Sequence, residues 1–375
     1  MRNLLIWIRG QNNWFWAAII RSTAIDSKSL AVFRMMVGLY LLCINSPNFL
    51  WLSDVPQAFF EPPFFSIASF FGGFPGHLVL VLANVLLIIL SAMLFLGVKA
   101  RFSTITYTII YIVCCSFQFS FGKIDHSPVL ILALLVCMIF SDWGTYLALI
   151  PDKPRKVNQI NMSLPLLSVF VCFGFFSAGF EKAIMWIDLD FTTNGSGAWF
   201  YKELHLRAYL LAPYIPKFMP FWGFKVMDYL GVIFELTPIF FLLHSRMAWK
   251  LWLIAACIFH FLNGVILNIN FMNLFIVYVS FLDYSSWYNS LEHALKKQPW
   301  KIALVSTSIV LLCVRLINLF RGVPGGNIFF DYDQKENNLY LSVLIWIVAI
   351  FLLLKSILTG SKKKLEYNTK ASLKI

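Results

Sequence analysis

Between Leu78 and Val98 the chain carries no ionisable side chain. The run LVLVLANVLLIILSAMLFLGV is as long as the roughly 20 residues a helix needs to cross a bilayer core of about 30 Å. Comparable runs lie near 29–48, 103–121, 127–149, 164–186, 218–242, 247–266, 270–287, 302–320 and 340–358. Neither the first run nor LLCVRLINLF alternates every second residue, which excludes a transmembrane barrel. The predicted fold class is all-α: a polytopic membrane helical bundle of about ten transmembrane helices. Composition agrees, with 59% hydrophobic and 13% charged residues over 375 positions, where a soluble domain carries about 25% charged.

The formal charge is +12, but the basic residues cluster between apolar runs instead of interleaving with aromatics along a groove, so nucleic acid is not an expected partner. With the N-terminus in the cytoplasm, 19 of the 30 Lys and Arg fall on the inner side and six on the outer. That split predicts both termini cytoplasmic, in a membrane such as the bacterial inner membrane, with membrane lipid as the immediate partner. No small-residue cleavage site follows the first apolar run, so no removable signal peptide is expected. The two longest connections face outward. Residues 187–217 contain TTNGSG and then WFYKELHLRAYLL, which reads as a short interfacial helix; residues 49–76 are rich in Phe and hold no Lys or Arg. The tail from Ser361 carries KKK and reads as a disordered topology anchor. Cys43, Cys114, Cys115, Cys137, Cys172, Cys257 and Cys313 sit in apolar runs without CxxC or Cys/His spacing, so buried free thiols and no metal site are expected.

An ionisable side chain inside a span costs a few kcal/mol or more and is a functional hypothesis by default. Lys182 lies in SAGFEK near the end of the fifth run, His126 opens the fourth in FGKIDHSP, and His260 lies in the seventh within FHFLNG. The alternation of directions puts all three in the outer half, and their convergence on one pocket is predicted. The competing readings are a snorkelling Lys182, an interfacial His126 beside Asp125, and a His260 that hydrogen-bonds a neighbouring helix. A desolvated lysine can act as a base if no tight carboxylate holds its proton, and a nearby histidine can shuttle that proton. Arg34 and Glu235 are intramembrane charges of opposite sign toward the inner half, so a structural ion pair is expected between them. RGVPGG lacks the GK[ST] of a P-loop, and GxSxG and HExxH are absent.

IDSKSLAVFRMMVGLYLL, FGKIDHSPVLILALLVCMIFSDWG and SAGFEKAIMW together resemble the HTTM (horizontally transferred transmembrane domain) family, the membrane domain shared by bacterial proteins and vitamin K-dependent gamma-carboxylases. The resemblance runs in order over roughly residues 25–290. It divides the chain into a basic N-terminal segment 1–28, an HTTM-like domain 29–290, additional helices 291–360 and a basic tail 361–375. AGFEK resembles the carboxylase motif whose last lysine is the proposed base toward vitamin K hydroquinone, which implies a catalytic role for Lys182. Asp125-His126-Ser127 resembles the Asn-His-Ser whose histidine is implicated in carbon dioxide addition, which implies a catalytic role for His126 and departs from the family at Asp125. His260 and Asn263 match a later His-x-x-Asn helix and would, with Asp125, line the cofactor pocket.

The resemblance implies a quinol-dependent membrane enzyme, a carboxylase-like lyase or epoxidase. Vitamin K hydroquinone or a related quinol would be its cofactor, carbon dioxide and oxygen its co-substrates, and a secreted peptide or protein its acceptor. Here two further spans replace the large non-membrane region of the animal carboxylases, which leaves the acceptor open. The rival class is a non-catalytic membrane protein that binds a peptide or lipid. A proton-coupled transporter would need ionisable groups along the full membrane depth.

Overall fold

A computed structural model describes the backbone of residues 2–121, 126–154, 161–206, 209–323, 325–330 and 334–372, with the side chains of 2–6, 8, 126–127, 202–206 and 359–372 outside the described set. In chain order the helices are α1 (Arg2–Thr23), α2 (Ser27–Cys43), α3 (His77–Leu96), α4 (Ala100–Gln118), α5 (His126–Ile139), α6 (Ser163–Trp186), α7 (Ser196–Leu206), α8 (Ile215–Phe218), α9 (Phe221–Leu236), α10 (Pro238–His244), α11 (Arg246–Leu267), α12 (Phe275–Val279), α13 (Ser285–Leu295), α14 (Gln298–Phe320) and α15 (Lys335–Ser372). No strand occurs among the described residues, so the all-α expectation holds.

Among the described residues six helices are long and apolar enough to cross a membrane: α3, α4, α6, α11, α14 and the Lys335–Leu358 part of α15. The α9 and α10 pair, bent by 43°, makes a seventh where the two are counted as one broken span. These helices define a helical membrane protein, but they do not reach the expected count of about ten. The 29–48 run yields the 17-residue α2, and the 127–149 run yields the 14-residue α5 before the polar turns of SDWG. The 270–287 run fails most clearly. Asn268 ends α11 in a left-handed conformation (φ 53°), and Asn270 Oδ1 accepts from Met272 N at 2.9 Å. Asparagine side chains that bond the local backbone compete with helix propagation; only the five residues of α12 remain, a rise of about 8 Å. The tail departs in the other direction: α15 continues through Ser361 to Ser372, because KKKLEYNTK holds good helix formers and neither Gly nor Pro.

The chain divides into two units interleaved along the sequence. One comprises Ile25–Ser163 and Asp283–Lys335. There Asp26 caps α2 by accepting from Ser29 N at 2.7 Å, a contact worth about 1 kcal/mol. Within this unit α2 packs on α3, α13 and α14, α3 on α4, and α4 on α5, around Met35, Leu42, Ile88, Ala92, Phe95 and Leu319. Gly97 stops α3 at φ 69°, a conformation that favours glycine. Residues 50–70 form three short 3-10 turns from which Phe64, Phe65 and Phe70 stand exposed.

The second unit comprises Met1–Ala24, Leu164–Leu282 and Glu336–Ile375. The expected N-terminal segment forms α1, which packs on α10 and α11, while α7 packs on α8, α9 and α11. The α9–α10 break has a local cause. Pro238 has no N–H to give Phe234 O, and Thr237 Oγ1 donates to that carbonyl instead at 3.0 Å. Of the seven free cysteines five are buried as expected, Cys43 is half-buried and Cys313 is exposed on α14.

Candidate functional site

Lys182 sits one turn before the end of α6, and Glu235 lies in the last turn of α9. Lys182 Nζ donates to Glu235 Oε1 at 2.5 Å. Gly179 makes this approach possible: a Cβ there would stand 2.7 Å from Glu235 Cβ, so a larger residue would push α6 off α9. The Glu235 side chain is 4% exposed and that of Lys182 30%. The ammonium also lies 5.5 Å from the centroid of the Trp186 ring, within cation–π range. Glu235 Oε2 is buried and has no hydrogen-bond partner among the described residues.

Three sequence expectations are corrected here. Glu235 pairs with Lys182 and not with Arg34. Arg34, wholly buried in α2, instead donates to the carbonyls of Trp143 (3.1 Å), Tyr146 (3.1 Å) and Leu147 (2.5 Å), whose turn after α5 has no helix to satisfy them. Lys182 and Glu235, expected in opposite halves of the membrane, meet at one level, as their 2.5 Å contact requires. Lys182 does not stand free of a tight carboxylate, which was the condition for action as an isolated neutral amine.

His260 is buried in α11, and its Nε2 lies 2.8 Å from Tyr278 Oη. Its ring is 4.8 Å from Phe271, 5.0 Å from Trp346 and 5.9 Å from Phe175, centroid to centroid. Phe175 lies seven residues before Lys182 on α6, about 10 Å along the axis. Lys182 and His260 therefore belong to one helix neighbourhood, yet each takes its own polar partner: Glu235 for the lysine, Tyr278 for the histidine. Asn263 is half-buried, and its carbonyl accepts from Ile269 N at 3.2 Å in the turn that closes α11. Asp125 and the side chain of His126 lie outside the described residues.

Sequence reasoning missed a second polar cluster in the same unit. Lys225, wholly buried in α9, donates to Asp188 Oδ1 at 2.5 Å and to Trp186 O at 3.1 Å. Asp228, also buried, accepts from Gly195 N and Ser196 N at 2.8 Å each, at the start of α7. Tyr229 Oη donates to Asp188 O at 2.6 Å. The signal was present in the spacing: Lys225 and Asp228 are three apart in an otherwise apolar helix and so share a face. The hydrogen bond from Lys225 holds the Asp188 carboxyl below the usual aspartate range.

Comparison with protein-family models, with curated proteins and with solved structures returns no match for this chain.

The Lys182–Glu235 arrangement can do two things chemically. As an ion pair it is neutral overall, so it enters an apolar wall at lower cost than either charge alone. It also presents a donor and an acceptor side by side, since an ammonium has three N–H groups and a carboxylate about four lone-pair directions.

Proposed function

We propose that the chain is a membrane enzyme of the HTTM kind, related to vitamin K-dependent gamma-carboxylases, in which Lys182 and Glu235 act together on a quinol. The protein would lie in a bacterial inner membrane, both termini cytoplasmic and the site toward the extracytoplasmic face. Carbon dioxide and oxygen would be co-substrates, and the acceptor a secreted peptide or a lipid-borne group. The observation that carries this reading is a partly open lysine ammonium beside a buried carboxylate in an apolar helix wall, within AGFEK.

The pairing changes the role assigned to the lysine. Its ammonium is placed to hold a ligand oxygen and to stabilise negative charge there, and such stabilisation is strong where water is excluded. The bound quinol would supply the oxygen chemistry that no side chain here provides. His260, locked to Tyr278 among aromatic rings, fits the support of α11 against α12 and α15 better than proton transfer.

The second reading is a non-catalytic membrane protein that binds a peptide or lipid. The close approach at Gly179 and the tight Lys182–Glu235 contact favour it, since both are also what an interhelical staple looks like.

The test is incubation of the purified protein in nanodiscs with vitamin K hydroquinone and oxygen, with and without a Glu-containing peptide. Epoxide formed by the wild type and lost in folded Lys182→Ala supports the enzyme. A folded wild type that forms no epoxide leaves the second reading. The topology is tested by impermeant labelling of Leu189→Cys and Ser361→Cys in a Cys313→Ser background: Leu189 should react from outside and Ser361 only after permeabilisation.

A further inference from the structure

Phe65 stands where a large side chain is least expected. Ser66 N donates to Pro63 O at 3.0 Å, which closes a tight turn with Phe64 and Phe65 at its two central positions. Phe65 has φ 66°, the sign that the third position of a type II turn demands and that glycine ordinarily supplies; for a bulky aromatic residue it is an outlier. Yet this ring is 88% exposed, with Phe64 at 87% and Phe70 at 86%. The Phe64 and Phe65 rings lie 4.3 Å apart. Backbone strain of this kind persists only where the surrounding structure over-determines it, and here the strained residue buries almost nothing against the protein.

The turn is held on a fixed base. Glu61 N donates to Ser120 O at 2.9 Å, just past α4, and Gln57 Oε1 accepts from Phe74 N at 2.7 Å, just before α3. Phe60 and Phe71 pack on Phe117 of α4, with ring centroids 6.3 and 5.3 Å apart. At this base α3 starts and α4 ends, and both are long and apolar enough to cross a membrane. The exposed rings therefore stand at the level where a crossing begins. We infer that the Phe64–Phe65 turn is a lipid anchor whose rings enter the headgroup–acyl boundary of the bilayer that α3 and α4 cross. The apex of a turn is convex, so a protein partner would need a matching pocket, whereas fluid lipid closes around it. The apolar surface also runs on into α3, where Leu78, Leu82 and Leu86 are exposed at four-residue spacing on one helix face. Charge sets the lipid class: residues 49–76 hold Asp54 and Glu61 but no Lys or Arg, so the anchor suits zwitterionic and not anionic headgroups. The inference is independent of the quinol reading.

The test uses the full chain in phosphatidylcholine nanodiscs, with a nitroxide attached to Phe65→Cys, Asp54→Cys or Leu86→Cys in a Cys313→Ser background. Collision with oxygen, which concentrates in hydrocarbon, and with a water-soluble nickel chelate gives the depth of each label. The label at Phe65 should lie about 5–10 Å below the headgroup level, as for other interfacial segments. The label at Asp54 should stay in water, and added phosphatidylglycerol should move neither. A Phe65 label as open to the chelate as the Asp54 label would overturn the inference, and so would one shielded from both reagents, which would mean cover by a second copy or another protein. Because a nitroxide is itself apolar, a second measurement keeps the turn native and labels Ile67→Cys beside it. Phe64→Ser with Phe65→Gly, a pair that relieves the strained φ, should make that label several-fold more accessible to the chelate. Unchanged access would overturn the inference as well.

Discussion

Lys225, without exposure to solvent, reaches from the first turns of α9 to a half-exposed carboxylate, Asp188, 2.5 Å away. Three residues on, Asp228 takes the first N–H groups of α7. The two side chains hold both ends of the 188–196 segment to one helix. Lys225→Met should therefore free that segment, with proteolysis within 188–195 faster by several-fold and the helices intact by circular dichroism.

The same contact sets a pH response. Asp188 lies outside the spans, and its carboxyl is held below the ordinary aspartate value, chiefly by the hydrogen bond from Lys225. A lowered folded value means that the contact stabilises fully above the unfolded value of about 3.9 and is lost as pH falls through the lower, folded one. Hydrogen exchange in 187–195 should be the same at pH 7 and pH 5 after correction for intrinsic rates, and should rise only below about pH 4. Loosening between pH 7 and pH 5 would count against the pairing.

Lys182→Ala should destabilise the protein by about 3 kcal/mol, because Glu235 is left buried without its partner. Lys182→Met combined with Glu235→Leu removes both charges and should recover most of that loss. A double-mutant cycle by denaturant titration in detergent measures the coupling; a coupling near zero would make Lys182 a snorkelling side chain.

His260→Phe keeps an aromatic ring in the cluster of Phe271, Trp346 and Phe175 but leaves Tyr278 Oη without its partner. The expected cost is about 1–3 kcal/mol. His260→Ala also opens a cavity and should cost more, about 3–5 kcal/mol, by analogy with other ring deletions. Activity lost in His260→Phe at unchanged stability would instead make the histidine part of the ligand pocket.

Arg34→Met removes the donors to three carbonyls in 143–147 and should cost about 3 kcal/mol or more. Arg34→Lys should recover only part of this, because one ammonium cannot reach three carbonyls as the planar guanidinium does. Thermal melting of the detergent-solubilised protein checks both.

Much of the fold was legible in the sequence because long apolar runs have few ways to satisfy their backbone except as helices. The eighth expected run shows the limit of that logic: Asn268, Asn270 and Asn273 barely alter its mean hydropathy, yet Asn268 takes the left-handed conformation that ends α11 and Asn270 Oδ1 accepts from Met272 N, which cuts the run to α12. In the site, Lys182 and Glu235 were each visible as charges out of place, but their partnership was not. Sequence order suggested different depths for them, and the close approach that the missing side chain at Gly179 allows could not be read from either residue. Arg34 was misjudged for a related reason, since its partners are main-chain carbonyls that no residue type announces.

The break at Pro238 also bears on what Lys182 neutralises. A helix that stops leaves its last carbonyls aligned, equivalent to about half a negative charge at that end, and Glu235 adds a full one in the same turn. The end of α9 is thus an unusually electron-rich spot within an apolar span, and α6 brings up a single cation to meet it. Lys182 is counter-ion to a helix terminus as well as to a carboxylate, so even a variant that keeps Glu235 neutral would still feel the pull that holds these two helices together.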